Sequence, residues 1–215
     1  MIVLAIDAAL GGFSAAVARD GAIVASRTAA GGTALEAGLG SVSAILAQAR
    51  VEAASLDRLA VGTGPGTFTG LRIAIAYAKS LAQAWGRPLV PVSSFDMLEY
   101  GLDPTRVLTV VVGRPGVISA RYRAGTASVR DSGDVRAVLA AVVPDDPSPL
   151  TVIGASKDVL AALAERRILV QSVEPRVTPP AAAAALIATS RAPAASVHAV
   201  RADYGELPAA KAPKN

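Results

Sequence analysis

Few residues in this 215-residue chain are of a type and spacing that could do chemistry. There is no cysteine and a single histidine, His198. Thiol catalysis, zinc–cysteine centres and a cluster of histidine ligands are therefore excluded. No Asp or Glu pattern surrounds His198, and no Gly-x-Ser-x-Gly elbow occurs to present a serine nucleophile. Two features remain. Asp7 ends the apolar run Val3-Leu-Ala-Ile6 and could orient a hydrated magnesium ion. The loop Gly64-Pro-Gly-Thr-Phe-Thr-Gly70 joins a strand pattern to a helical one, and its amides, with the helix N-terminus behind them, could hold an anion.

Both features also have a plainer reading. The loop is not a P-loop, because no Gly-Lys-Ser/Thr follows it. Nor is it a dinucleotide fingerprint: the third glycine falls one residue late, and Pro65 removes a donor. Ala8-Ala9-Leu10 offers nothing to wrap a phosphate, and one carboxylate does not make an acid–base pair. We favour a hydrogen-bonded turn for Asp7 and a tight strand-to-helix turn for the loop. A weak nucleotide or anion site at Asp7, Gly64, Gly66, Thr67 and Gly70 is the alternative. No catalytic residue and no metal site is assigned.

The elements that must position these groups follow from periodicity and punctuation. The chain opens with strands at Val3–Ile6, Phe13–Arg19 and Ala22–Thr28, the last two joined by the hairpin signal Asp20-Gly21. A capping box, Thr33-Ala-Leu-Glu36, starts a helix with its apolar stripe at Leu35, Leu39, Val42, Leu46 and Ala49. A strand at 59–62, the glycine loop, a helix ending at Gly86, a strand at 89–92 and a short helix capped by Ser93 complete a first half. The order then repeats. Strands are predicted at 107–112, 117–123 and 127–131, a helix from Asp134 to Val142 and a strand at 151–153. A helix at 157–166, a strand at 168–173 and a helix opened by Pro179-Pro180 follow. This repeat, with a hinge at Asp103-Pro104, predicts a duplicated two-lobed α/β fold of the actin, sugar-kinase and Hsp70 type. The lobes are placed at residues 1–103 and 104–191, and residues 192–215 are read as a flexible tail.

The helix at 69–85 is apolar almost all round. Leu71, Ala74, Ile75, Ala78, Leu81, Ala82 and Trp85 form an ordinary core face. Ile73, Ala76, Tyr77, Ser80 and Ala84 form a second, small and scarcely polar face, leaving Arg72, Lys79 and Gln83 as a thin wet stripe. Such a helix is buried on both sides, either within its own domain or against another chain. In the preceding helix Gly38, Ser41 and Ala44 are small and three apart, which suits close approach by a partner helix.

Composition narrows the class further. Apolar residues make up 52% of the chain and charged residues 18%, enough for a core and too apolar for a disordered chain. Mean hydropathy is +0.45, yet the longest apolar run, Ala181–Ala188, has eight residues, far from the roughly 18 needed to span a bilayer. Residues 1–7 carry no signal-peptide pattern, so a cytoplasmic protein is expected. The net charge is +4, but its basic residues are scattered and aromatics are only 4%. A stacking surface for nucleic acid is not indicated.

The run Gly64-Pro-Gly-Thr-Phe-Thr-Gly-Leu-Arg72, the opening Leu4-Ala-Ile-Asp7, Val61-Gly62 and Pro91-Val-Ser93 resemble the bacterial TsaB (YeaZ) family. The likeness is good over residues 2 to about 100. Beyond that it is one of layout. It implies an actin-like fold and a role in making threonylcarbamoyladenosine on tRNA beside the anticodon. The resemblance further implies a non-catalytic subunit that pairs with and activates a larger paralogue, the threonylcarbamoyltransferase TsaD. An ATPase, TsaE, joins the pair, and two copies of the chain pair through the same helices when the partner is absent. Contact with tRNA is then indirect, and ATP and magnesium belong to the complex partners, with no cofactor on this chain alone. The partner face implied comprises Leu35, Leu39, Val42, Leu71, Arg72, Ile75, Ala76 and Lys79. Four features depart from the family pattern: residues 32–38 lack a histidine, Val112 stands where an Asp is usual, Thr67 replaces a serine, and the C-terminal tail keeps Val200-Arg201 but lacks the usual aromatic–Leu–Arg run. The alternative is an autonomous small ATPase or glycoprotease-like enzyme using Asp7 and the Gly64–Gly70 loop.

Overall fold

The computed structural model describes residues 1–29, 38–102, 105–174 and 178–205. Each half of the chain builds one five-stranded mixed sheet. The first contains β1 (Ile2–Asp7), β2 (Phe13–Arg19), β3 (Ala22–Ala29), β4 (Arg58–Gly62) and β5 (Leu89–Val92) in the order β3-β2-β1-β4-β5. Its helices are α1 (Gly38–Ala49), α2 (Phe68–Trp85) and α3 (Ser94–Glu99). The second contains β6 (Arg106–Arg114), β7 (Val117–Ala124), β8 (Ala127–Asp134), β9 (Leu150–Ile153) and β10 (Val170–Glu174), ordered β10-β9-β6-β7-β8. With it come α4 (Val135–Val142), α5 (Lys157–Glu165) and α6 (Pro180–Ile187). The two orders are the same read from opposite ends. In each, the first three strands pair antiparallel, and the fourth and fifth extend the first in parallel. The duplicated order read from the sequence is thus the order of the fold.

Local chemistry sets the element boundaries. Asp20 and Gly21 both take positive φ, 51° and 81°, as a two-residue hairpin turn requires. Gly86 closes α2 in the left-handed region at φ 62°. Ser93 accepts from the Asp96 amide at 3.1 Å to cap α3, and Asp134 caps α4 by accepting from the amides of Arg136 and Ala137. The Thr33–Glu36 capping box, Leu35 and the Asp103-Pro104 hinge lie outside the described residues, as does the side chain of Leu39.

The helices do not simply stay with their own half. α1 and α2 cover one face of the first sheet, where Leu4, Ile6, Phe13, Val17, Ile45, Leu59 and Leu71 form its largest core. α4 and α5 cover one face of the second around Leu108, Leu139 and Leu163. The remaining two helices are exchanged. α6 packs on the other face of the first sheet, with Ala181–Ala185 all buried against Val3, Ala5, Ala16 and Ala60. α3 brings Phe95 and Leu98 against Val107, Val111 and Ile153 of the second. Residues 180–187, placed by sequence in the second lobe, therefore belong to the packing of the first. An alanine helix fits there because only small side chains let it approach a sheet that is itself alanine-rich.

Residues 192–205, read from sequence as the start of a flexible tail, pack against the first lobe. Val200 is 2% exposed, and Ala194, Val197 and Ala202 join the same core. The Ala194 amide donates to Leu89 O and the Asp203 amide to Thr63 O. Alanine- and proline-rich composition gives no periodic signal, so this strap is held by contacts that no local pattern announces.

Candidate functional site

The glycine loop is filled by the chain's own backbone. Thr67 N donates to Ala9 O at 2.9 Å, and Thr67 Oγ1 donates to Ala8 O at 3.2 Å. A Cβ at Gly66 would collide with the Ala9 carbonyl oxygen, and one at Gly70 with that of Ala8. Gly64, at φ 101°, passes equally close to the carbonyl of Asp203. The glycines therefore let the β1–β2 turn and the strap seat against the start of α2. Carbonyl oxygens stand at the helix N-terminus, where an anion site would present amides.

Asp7 is 1% exposed. Its carboxylate accepts from the amides of Ala9 and Leu10 at 3.2 and 3.4 Å, the geometry of a turn. Gly62 lies against the same carboxylate, with no room for a side chain. Ser14 Oγ donates to Asp7 O and accepts from the Ala181 amide at the start of α6. Asp7 and its surroundings thus tie β1, β2, β4 and α6 together. Among the described residues no group of three or more His, Cys, Asp or Glu could hold a metal ion.

The proposed partner face divides. Val42, Leu71 and Ile75, 3%, 0% and 7% exposed, point into the first core and are not available to another chain. Arg72 and Ala76 are exposed, and Lys79 is half-buried. The small surface expected of α1 is also partly used internally: Ser41 is buried, and Gly38 faces the rings of Tyr77 and Phe13, which a Cβ there would meet at 2.8 and 2.9 Å. What α2 offers to solvent is a stripe through Phe68, Arg72, Ala76, Ser80 and Gln83, flanked by Ile73 and Tyr77. The twofold burial inferred from its all-round apolar pattern is onefold within this chain, because small residues such as Ala76 and Ala84 need no cover.

Sequence reasoning missed the aromatic end of that stripe. Phe68 is 55% exposed, and Arg72 lies over its ring at 3.9 Å. Tyr204, from the strap, stands 5.1 Å from Phe68, and its hydroxyl accepts from Arg72 Nε at 3.3 Å. A partner 132 positions away leaves no local signal.

Also missed was the set of charges between the lobes. Glu99, 7% exposed, accepts from Thr109 Oγ1 at 2.6 Å and from Arg121, and lies 2.9 Å from Arg123 Nε. Asp96 pairs with Arg121 at 2.7 Å and Arg191 at 2.8 Å. Burial by itself would raise the Asp96 carboxyl, but the two guanidiniums outweigh it and hold it below the ordinary Asp range. Beside this cluster a cavity of about 210 Å³ opens between Pro65, Phe95, Arg130 and Asp203, where Arg130 and Asp203 neutralise one another at 3.0 Å.

A family model described as TsaD, tRNA N6-adenosine threonylcarbamoyltransferase, matches residues 35–145, just over half of the chain. The chain belongs to this family. Its resemblance to the TsaB (YeaZ) proteins is borne out as well. It is 32% identical to the tRNA threonylcarbamoyladenosine biosynthesis protein TsaB of Escherichia coli over 144 residues, 65% of this chain and 62% of that protein. An uncharacterised Mycobacterium leprae protein is 36% identical over 114 residues, 53% of this chain and 30% of that protein. The chain thus matches less than two thirds of these curated relatives' length. A Pseudomonas aeruginosa structure with similarity to peptidase YeaZ superposes with a TM-score of 0.77 at 22% identity, over 95% of this chain and 99% of that one. The fold is actin-like, as the duplicated element order predicts. No helix among the described residues is long and apolar enough to cross a membrane.

Proposed function

We propose that this chain is a non-catalytic subunit in the threonylcarbamoyladenosine modification of tRNA, docking through the outer face of α2 on a threonylcarbamoyltransferase of the TsaD type and stabilising its competent conformation. The observation that carries the reading is the solvent face of α2, small and almost uncharged from Ala76 to Ala84 and ending in the exposed Phe68–Arg72 stack. Exposed aromatic and Arg anchors are enriched at protein interfaces, and charged residues are depleted at their cores. Two further observations support it. The glycine loop is occupied by the carbonyls of Ala8 and Ala9, and the Asp7 carboxylate is engaged in a turn. Neither leaves a ready acid–base pair for an autonomous enzyme. Without the partner, the same face pairs two copies of the chain by isologous packing. ATP and magnesium act on the partners, an ATPase of the TsaE type among them, and tRNA is met through the complex.

The test is co-purification with the threonylcarbamoyltransferase of the same organism, followed by tRNA modification with and without this chain. Activity is expected to require it, and Ala76→Arg is expected to abolish both binding and modification while leaving the monomer folded. Undiminished modification with Ala76→Arg would overturn the α2 interface. ATP turnover by the isolated chain, lost in Asp7→Ala, would replace this reading with the autonomous enzyme.

A further inference from the structure

Resting on the docking reading of α2, we propose that Phe68, Arg72 and Tyr204 form a preorganised recognition site for a carboxylate side chain carried by a helix of the protein partner. Three observations converge on it. First, the Arg72 guanidinium is held on two sides, its plane over the Phe68 ring at 3.9 Å and its Nε donating to the Tyr204 hydroxyl at 3.3 Å. A long flexible side chain is thereby restrained before any partner arrives, which lowers its own share of the ordering cost of binding. Second, no carboxylate among the described residues pairs with Arg72, so its terminal nitrogens remain for the planar, bidentate geometry that matches Asp or Glu. Third, the face is charge-incomplete. α2 carries Arg72 and Lys79 and no acidic residue along its 18 positions, and α1 has no charged residue at all. Complementarity calls for an acidic partner. A protein helix is favoured over a nucleic-acid phosphate because the stripe continues from Arg72 into Ala76 and Ser80, flush enough for helix packing. It offers no run of cations to track a phosphate backbone.

Tyr204 acts here as a positioning residue. The strap delivers it, with Asp203 on one side bonded to Thr63 O and paired with Arg130 of β8, and Gly205 on the other seated against Ser119 of β7.

The experiment measures affinity for the co-encoded threonylcarbamoyltransferase by calorimetry across a salt series, using the full chain and four variants. Arg72→Ala is expected to weaken binding ~10-fold or more and to flatten its salt dependence. Arg72→Lys should recover little of this, since an ammonium neither stacks in the same way nor binds bidentately. Tyr204→Phe should cost ~3-fold, less than Arg72→Ala, because Nε loses its anchor while the charge remains. Ala76→Arg serves as the control on the docking reading itself. If Ala76→Arg abolishes binding while Arg72→Ala leaves affinity and salt slope unchanged, the carboxylate site is wrong and the docking face stands. If Ala76→Arg binds normally, the face is wrong and this site falls with it. Loss of tRNA retention on filters by Arg72→Ala, with partner affinity intact, would overturn the proposal in favour of a phosphate contact.

Discussion

Gly70 shows how one position can satisfy two opposed rules. It lies inside α2, where glycine is intrinsically worse than alanine by about 1 kcal/mol. Yet a Cβ there would drive into the Ala8 carbonyl oxygen and the Thr67 hydroxyl. Overpacking against backbone costs about 1–3 kcal/mol, and loss of the Thr67 contacts adds to it. The collision therefore wins, and Gly70→Ala is expected to destabilise by about 2 kcal/mol in urea unfolding. Gly40 in α1 is the counterpart: nothing lies within 4 Å of a Cβ there, so Gly40→Ala should stabilise by about 1 kcal/mol. Equal signs for the two substitutions would refute the packing account. The sequence marked the glycines at 64, 66 and 70 as a tight strand-to-helix turn, with a weak anion site as the alternative, and did not show that backbone carbonyls close on them. The carbonyls of Ala8 and Ala9 lie nearly sixty residues upstream, and a phosphate would have left the same residue pattern.

At the scale of elements, periodicity located helices and strands well because cap and turn residues act locally: Asp20-Gly21, Ser93, Asp134 and Gly86 each sit where their backbone or side-chain chemistry demands. It located their partners poorly. An apolar face states that something covers it, not which sheet does so, and the exchange of α3 and α6 between halves was therefore illegible. The same ambiguity affected α2, where periodicity put Ile75 on the core face and Ala76 on the second face without saying whether the chain itself covers the second; Ile75 is buried and Ala76 is exposed. Substitution by glutamate separates them. Ile75→Glu places a charge in the first core beside Leu71 and Ala78, and is expected to cost 3 kcal/mol or more, about what a buried large-to-small change costs before any charge is counted. Ala76→Glu leaves the charge in water and should change stability by less than about 0.5 kcal/mol. Thermal melts of the two variants decide it. Comparable losses would mean that α2 is covered on both faces in the isolated chain.

At the scale of the molecule, the duplication was readable because element order needs no long-range knowledge, whereas the charges that join the lobes were not. Glu99 and Asp96 looked like ordinary helix residues, and Arg121 and Arg123 like one more strand pattern. Only the fold brings them together with Thr109 and Arg191. Their electrostatics set how the molecule responds to acid. The Asp96 carboxyl is held below its ordinary range in the folded chain, so the unfolded chain takes up its proton first as pH falls. The stabilisation is whole at pH values above the ordinary Asp pKa and is lost as the pH drops through the lowered folded value, on the acid side of about 4. Urea midpoints measured on that side should fall more steeply for the native chain than for Asp96→Asn, which starts less stable near neutrality. Arg121→Ala provides the severe case. It leaves Glu99 with Arg123 and the Thr109 hydroxyl and Asp96 with Arg191, so each carboxylate keeps a cation, and the loss of the charge-assisted hydrogen bonds of Arg121 is expected to cost about 1.5–3 kcal/mol. If Asp96→Asn parallels the native chain throughout the acid limb, and Arg121→Ala unfolds at the native midpoint, the lobes are held by the apolar contacts of α3 and α6 and by the strap rather than by this ion network.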